Sequence, residues 1–213
     1  MLATLEQHPA APADSAIIWM HGLGASSSDF LSVLPHLDLP STRFVFPQAP
    51  TRPVTINAGY LMPAWYDIRT LEPGPNREDA AGIDASALAI DALIARERAR
   101  GLASERIVLA GFSQGGAMAL HVAHRHAHTL AGIVVLSAYP LVVERWGEGH
   151  PANAETPAFC AHGIGDDVVS IDRGQQGAAL LGDRAQWRDY GMGHELCMEE
   201  ILDLRSWLQQ RLR

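Results

Sequence analysis

A glycine-bracketed serine, in the segment Gly-Phe-Ser-Gln-Gly at residues 111–115, most constrains how this chain can fold. A short apolar run at residues 107–110 precedes it, as expected for a buried parallel strand, and helix-forming residues follow it. A strand, a Gly-x-Ser-x-Gly turn and a helix in this order are typical of a nucleophile elbow. The turn leaves no room for side chains beside the serine, so we predict strained backbone geometry and an exposed hydroxyl at Ser113. The alternative is an ordinary glycine-rich turn.

Composition restricts the class of protein and excludes several kinds of site. At 213 residues the chain fits one domain over residues 1–213, long enough to bury a core without disulfides or metal. Two cysteines argue against a disulfide framework. The net charge of −8 argues against nucleic acid as a partner, because phosphate binding needs a basic face. All sixteen basic residues are arginine, which excludes a lysine Schiff base and a Walker-type lysine.

The hydropathy pattern predicts no stable insertion into a membrane. The longest mostly apolar stretch, residues 130–143, is interrupted by polar residues and proline. It is shorter than the roughly 20 residues that span a bilayer. The first residues lack the basic and apolar segments of a secretory signal peptide, so we expect a cytoplasmic protein.

Short apolar runs alternate with helical patterns along the chain, which predicts an α/β fold with a mostly parallel sheet covered on both faces. A short edge strand or an arm is expected within residues 1–14. A helix is expected within residues 25–37, with Ser28 or Asp29 as its cap. The other predicted elements are strands at 17–20, 44–46, 107–110, 133–136, 158–161 and 186–190, helices at 82–100, 114–124 and 171–181, and a final helix with an apolar stripe at Ile201, Leu204, Leu208 and Leu212.

Residues 48–82 are predicted to be mostly loop, and a loop of this length in a compact domain is usually functional. Its large apolar residues either pack the loop onto the core or line a substrate pocket, and both can hold. We expect Leu61, Trp65, Val168 and the loop at 140–156 to contribute to that pocket.

A serine hydroxyl needs a base, and the base needs a carboxylate to orient it. Polar, glycine-rich loops follow four of the predicted strands, and ligands bind beyond the carboxyl ends of parallel strands. In α/β-hydrolases the chain order is serine, acid and histidine, which selects His194 after the last strand. Asp166 and Asp167 both follow the preceding strand, and spacing alone does not separate them; we favour Asp166, the first to clear the glycine turn.

Three other histidines, His121, His124 and His128, share one helix face, which is a spacing compatible with metal binding. Because no acidic residue accompanies them, neutral solvated histidines fit better, and we predict no metal site and no cofactor.

A tetrahedral intermediate needs hydrogen-bond donors for its oxyanion. The residue after the nucleophile supplies one backbone N–H, here Gln114, and the loop after an early strand supplies the second, here Leu23. The competing interpretation of that loop is a dinucleotide-binding fingerprint. It fails because the third glycine of that motif would fall on Ser27.

Six ordered segments together are similar to one family. They are Met-His-Gly-Leu-Gly at 20–24, Phe-Pro-Gln-Ala-Pro at 46–50, Trp-Tyr-Asp at 65–67, residues 111–116, His-Gly with Asp at 162–166, and Met-Gly-His-Glu at 192–195. On these segments the chain resembles the phospholipase/carboxylesterase family of α/β-hydrolases, which includes bacterial carboxylesterases and acyl-protein thioesterases. Residues 50–57 and 62–68 look closest to the bacterial carboxylesterase branch.

The resemblance implies roles for five residues: Ser113 as nucleophile, His194 as base, Asp166 as acid, and the backbones of Leu23 and Gln114 as oxyanion donors. It therefore favours Asp166 over its neighbour. Many relatives carry proline where this chain has an aspartate at position 167, and that second carboxylate could partly replace a mutated Asp166. The family fold has no large lid, and relatives in the bacterial branch are often homodimers.

Together these features predict a metal-independent serine carboxylesterase that acts on short or medium acyl chains through an acyl-enzyme. An acyl-protein thioesterase or lysophospholipase with the same triad is the first alternative. A non-catalytic α/β-hydrolase that acts as a binding module is the second.

Overall fold

The computed structural model describes residues 2–70 and 77–212. Its strands are β1 (Thr4–Gln7), β2 (Ser15–Met20), β3 (Thr42–Pro47), β4 (Thr51–Val54), β5 (Tyr60–Pro63), β6 (Ile107–Phe112), β7 (Gly132–Leu136), β8 (Ala158–Gly163) and β9 (Ala185–Tyr190). Seven of them form one sheet in the order β1-β3-β2-β6-β7-β8-β9. Only β1, at the edge, is antiparallel to its neighbour within this sheet. The predicted parallel sheet and the predicted edge strand are confirmed.

Both faces of the sheet are buried, as β2 illustrates. All six of its residues are buried. Ile18 and Met20 belong to the apolar cluster on one face, whereas Ile17 and Trp19 belong to the cluster on the other. Because side chains alternate across a strand, each face needs its own layer of helices.

Helices cover both faces of the sheet. The face that contains Met20 packs against α2 (Ala80–Ala99), α3 (Gln114–Arg125) and α4 (Ile171–Leu181). The opposite face packs against α1 (Leu34–Leu37) and α5 (Met198–Arg211), and the apolar stripe predicted for the last helix is buried there. No helix among the described residues combines the length and the apolarity that crossing a membrane requires.

The helix predicted within residues 25–37 was largely wrong. Residues 26–33 instead form successive turns. These turns are closed by backbone hydrogen bonds, such as the one that the Asp29 N–H donates to the Ser26 carbonyl. Only the four residues of α1 are helical, and neither Ser28 nor Asp29 caps them. Pro35 lies in the first turn of α1, where its missing N–H is tolerated.

The long predicted loop contains a β-hairpin. Strands β4 and β5 pair antiparallel, and Ala58 and Gly59, with φ of 54° and 75°, supply the left-handed turn between them. The sequence signal is weak because β4 contains Pro53, which is tolerated in an edge strand. Residues 71–76 of the predicted loop lie outside the described residues.

Ser113 makes the turn between β6 and α3. Its φ of 55° and ψ of −123° are unusual for a residue with a side chain, so the predicted backbone strain is confirmed. The Ser113 N–H donates to the Leu136 carbonyl at 2.8 Å, which ties the turn to β7.

Two glycines let the chain turn this tightly. A Cβ on Gly111 would overlap the backbone of Gly115, and a Cβ on Gly115 would overlap the carbonyl groups of Met20 and His21. The first turn of α3 therefore lies directly against the end of β2. Such an approach between two backbones requires glycine.

The histidines on α3 are structural and buried rather than solvated, which corrects the prediction for two of the three. His121 is 2% exposed, and His124 is 8% exposed. The His124 ring stacks on Trp146 with centroids 3.9 Å apart, and its Nε2–H donates to the Trp146 carbonyl at 2.8 Å. Burial, with Arg125 nearby, lowers the pKa of His121 to about 3.

Substitution of Gly115 by alanine should destabilise the fold. We expect the free energy of unfolding to fall by on the order of 3 kcal/mol or more, because the new Cβ must displace backbone atoms. Urea unfolding followed by circular dichroism measures this. The control is Gly147→Ala, where a Cβ meets no atom within 4 Å, and where we expect a change below about 1 kcal/mol. Equal stability of the two variants would contradict the close approach.

Burial of neutral His121 should make the protein less stable in acid. Its folded pKa lies below its unfolded value, so its contribution is intact above about pH 6.5 and is lost as the pH falls toward 3. We expect His121→Gln to reduce the slope of unfolding free energy against pH by about 1.4 kcal/mol per pH unit between roughly pH 6 and 4. The exposed His128→Gln serves as the control, with the wild-type slope. An unchanged slope in His121→Gln would show that His121 is protonated in the folded state.

Candidate active site

The structure brings Ser113, His194 and Asp166 together from three separate loops at the carboxyl ends of the strands. The His194 Nε2 atom lies 3.0 Å from the Ser113 Oγ atom. The His194 Nδ1 atom lies 2.7 Å from the Asp166 Oδ2 atom. Because a carboxylate only accepts hydrogen bonds, Nδ1 carries the proton and Nε2 is free to accept the serine proton. The ring of Phe112 packs against the imidazole with centroids 4.7 Å apart.

Local backbone groups hold the Asp166 carboxylate. Its Oδ1 atom accepts the N–H groups of Val168 at 3.0 Å and Val169 at 2.8 Å, which leaves Oδ2 directed at the imidazole. The neighbouring Asp167 is exposed, and among the described residues it makes no hydrogen bond to His194. The geometry therefore distinguishes two aspartates that spacing alone left open.

A second histidine, His162, also faces the Asp166 carboxylate. Its ring is fully buried and packs beside the ring of Trp187. The His162 Nε2–H donates to the Val169 carbonyl at 2.8 Å and lies 3.4 Å from Asp166 Oδ2. Burial lowers the pKa of His162, which favours the neutral ring beside the carboxylate. His162 therefore helps to hold both the Asp166 carboxylate and the loop after β8 in position.

Leu23 and Gln114 both line the cavity around Ser113. Neither backbone N–H donates to another described residue, so both are available to a negatively charged oxygen. The Gln114 side chain is held in place, since its Oε1 accepts the Trp65 N–H at 2.8 Å and its Nε2 donates to the Tyr66 carbonyl at 2.9 Å. This arrangement anchors the first residue of α3.

His21 fixes the loop that carries Leu23. Its Nδ1–H donates to the Gly22 carbonyl at 2.7 Å, and its Nε2 accepts the Ala49 N–H at 3.1 Å. These partners define a neutral tautomer, and burial lowers the pKa of His21 accordingly. The His21 carbonyl also accepts the Trp65 indole N–H at 2.8 Å. A closed set of buried hydrogen bonds therefore positions the loop.

A cavity of about 580 Å³ surrounds Ser113, which is a typical size for a small-molecule site. The lining residues divide between the two faces of the sheet. Phe30, Val33, Leu196 and Ile201 pack with the apolar cluster on the face of α5, and Ile56, Ile68, Tyr139 and Val169 pack with the cluster on the face of α2. Their neighbours complete two walls, with Ala25, Asp29, Ser32 and Glu195 on the first side and Arg77 and Val168 on the second.

The cavity corrects part of the predicted pocket. Val168 lines it, as expected, but Leu61 and Trp65 do not. Trp65 is fully buried, and its backbone and indole N–H groups donate to two buried acceptors, which makes this burial possible. Leu61, in contrast, is 63% exposed on β5. The loop at 140–156 also lies elsewhere, since Trp146 packs it onto α3.

Sequence reasoning missed four residues around the site: His21, Gln48, His162 and Arg77. Two of them lie in the same His-Gly motifs that pointed to the neighbouring loops, and those motifs could have indicated a structural histidine. Gln48 donates to His21 Nε2 at 3.2 Å and also accepts the Ser27 N–H. Nothing in the local pattern marks Arg77 as a lining residue.

Comparisons with known proteins identify the family. A family model described as Phospholipase/Carboxylesterase matches residues 5–212. The chain is 37% identical over 213 residues to acyl-protein thioesterase 1 of Neurospora crassa, covering 93% of this chain and 87% of that protein. It is 34% identical over 211 residues to a probable carboxylesterase of Oryza sativa subsp. japonica, covering 93% and 78%.

A solved structure agrees with the sequence comparisons. The crystal structure of Zea mays acyl-protein thioesterase 2 superimposes with a TM-score of 0.86 at 28% identity and covers 100% of both chains. Its fold is that of the sheet and helices described above. The chain therefore belongs to the phospholipase/carboxylesterase family and is a serine hydrolase of the α/β-hydrolase fold.

Proposed function

We propose that the protein is a carboxylesterase in which Ser113 is the nucleophile, His194 the general base and Asp166 the orienting acid. The observation that carries this proposal is the continuous pair of contacts, 3.0 Å from Ser113 to His194 and 2.7 Å from His194 to Asp166. We propose further that a single domain holds the whole site.

The acylation step follows from this geometry. His194 Nε2 takes the hydroxyl proton as Ser113 Oγ bonds to the ester carbonyl carbon. The Leu23 and Gln114 N–H groups would stabilise the resulting oxyanion. The C–O bond to the alcohol then breaks, and His194 gives its proton to the departing oxygen.

Deacylation reverses the proton transfers with water. His194 takes a proton from a water molecule, whose oxygen attacks the acyl carbon while Leu23 and Gln114 again face the oxyanion. The bond to Ser113 Oγ breaks, the serine regains its proton, and the carboxylic acid leaves. These steps need no metal or cofactor.

Thioesters are the second candidate substrates, as in an acyl-protein thioesterase, and lysophospholipids are a related one. The name of the Neurospora crassa relative favours thioesters, and the family description favours phospholipids. The same serine attacks the same carbonyl in each case.

Membership in a family of serine hydrolases argues against the hypothesis of a non-catalytic binding module. The cytoplasmic location and the homodimer stay predictions.

Removal of the nucleophile should abolish turnover without unfolding the protein. We expect Ser113→Ala to lower kcat on p-nitrophenyl butyrate by on the order of 10⁴–10⁶ and to abolish labelling by a fluorophosphonate probe. The exposed helical Ser206→Ala is the matched control and should retain labelling and turnover. Near-full activity of Ser113→Ala would overturn the mechanism, and an unlabelled wild type would favour a binding module.

A series of substrates should distinguish the hypothesis of an esterase from that of a thioesterase. We expect kcat/KM to be highest for acetyl to octanoyl p-nitrophenyl esters and lower for palmitoyl esters and for the matching acyl-CoA thioesters. The physical reason is that the acyl chain and the leaving group share a cavity of about 580 Å³, so the outer part of a palmitoyl chain and most of coenzyme A would extend into solvent and gain little binding energy. A clear preference for palmitoyl thioesters would instead establish the thioesterase reading.

A further inference from the structure

Arg77 is the only arginine that lines the cavity within the described part of the chain. It lies on the wall that also holds Tyr139 and Val168, and its side chain is only 11% exposed. A guanidinium that is always charged, and largely removed from water, normally has an anionic partner. Within the described residues, the carboxylate nearest to Arg77 is that of Glu78.

The charge around Arg77 is only partly balanced. Its Nε atom lies 3.3 Å from Glu78 Oε1, close enough for an ion pair but without hydrogen-bond geometry to any described residue. The same Glu78 oxygen lies 3.6 Å from Arg173 Nη2. One carboxylate therefore faces two guanidinium groups. Burial raises the pKa of Glu78, and the nearby carboxylate of Glu144 adds to this shift.

An aromatic ring holds the two arginines. The guanidinium carbon of Arg173 lies 3.6 Å from the centroid of the Tyr139 ring, and that of Arg77 lies 5.2 Å from it. The Tyr139 hydroxyl is in turn hydrogen-bonded to the Tyr66 hydroxyl at 2.8 Å, and both tyrosines are buried. Arg77 is therefore held against a fixed surface, which reduces the entropy lost when it binds a ligand.

The opposite wall carries the opposite charge. Asp29 and Glu195, both exposed, line the cavity beside Phe30 and Leu196, which pack with the apolar cluster on the other face of the sheet. A second negative charge on the substrate would meet these carboxylates. The cavity thus suits a molecule with one negative charge, placed toward Arg77.

We propose that Arg77 binds an anionic group of the substrate, and that the preferred substrates are esters with a single carboxylate remote from the scissile carbonyl, such as monoesters of dicarboxylic acids. The planar guanidinium can donate two parallel hydrogen bonds to a carboxylate, which a neutral acyl chain cannot use. This inference rests on the proposed esterase function and names the substrate class for the same cavity.

The test compares monoethyl adipate with a neutral ethyl ester in which an isopropyl group replaces the carboxylate. For the wild type we expect kcat/KM to be higher for the anionic ester, measured by release of ethanol. We expect Arg77→Gln to lower the anionic-to-neutral ratio by about 10-fold or more, as a charge-assisted hydrogen bond is lost. Arg77→Lys keeps the charge without the planar fork, so its ratio should fall between the two.

The matched control is Arg69→Gln. Arg69 is half exposed, pairs with Asp79 at 3.0 Å and does not line the cavity, so its substitution should leave the ratio at the wild-type value. Equal ratios in wild type and Arg77→Gln would overturn the proposal, as would a wild type that prefers the neutral ester. Hydrolysis of the neutral ester by the wild type keeps the proposed function separate, since that function fails only if neither ester is cleaved.

Discussion

The close contact between the first turn of α3 and the end of β2 is the constraint on which the candidate site depends. At Gly115 the helix backbone lies against the Met20 and His21 carbonyl groups, with no space for a Cβ. The elbow at Ser113 and the loop at Leu23 are distant in sequence, yet this contact holds them side by side. The N–H groups that we propose as oxyanion donors would then need no reorganisation when negative charge develops, which is where most electrostatic catalysis originates.

A close backbone contact of this kind buries polar groups, and each needs a partner. Leaving one unpaired costs about 1–3 kcal/mol. Around the loop, the His21 ring pairs with the Gly22 carbonyl and the Ala49 N–H, and the two N–H groups of Trp65 donate to the His21 carbonyl and to Gln114 Oε1. Trp65 therefore supports the site from below without touching the cavity, and its size contributes to the core on the same face.

The features that sequence predicted well depend on local pattern and chain order. The turn at Ser113 can be recognised from two glycines between a strand and a helix. His194 can be recognised from its position after the last strand. The misassignment of Trp65 has a different origin, because a large aromatic residue in a loop can equally pack the core or line a pocket. The prediction that His121 is exposed was wrong for a similar reason. Helical spacing shows which residues share a face of the helix, but it does not show whether another segment covers that face. Arg77 reaches the cavity only through tertiary packing.

Selectivity in this fold is separable from the chemical step. Ser113, His194 and Asp166 follow the carboxyl ends of three strands, and in the proposed mechanism an ester and a thioester present the same carbonyl carbon to Ser113. The triad alone therefore cannot discriminate between them, and the difference must arise on the walls of the cavity. The cavity lining includes Arg77, near the ring of Tyr139, and the carboxylates of Asp29 and Glu195, beside residues that pack on the other face of the sheet. A substrate with one anionic end has a single favourable orientation between these charges, whereas a neutral substrate has no such preference and must be oriented by shape alone.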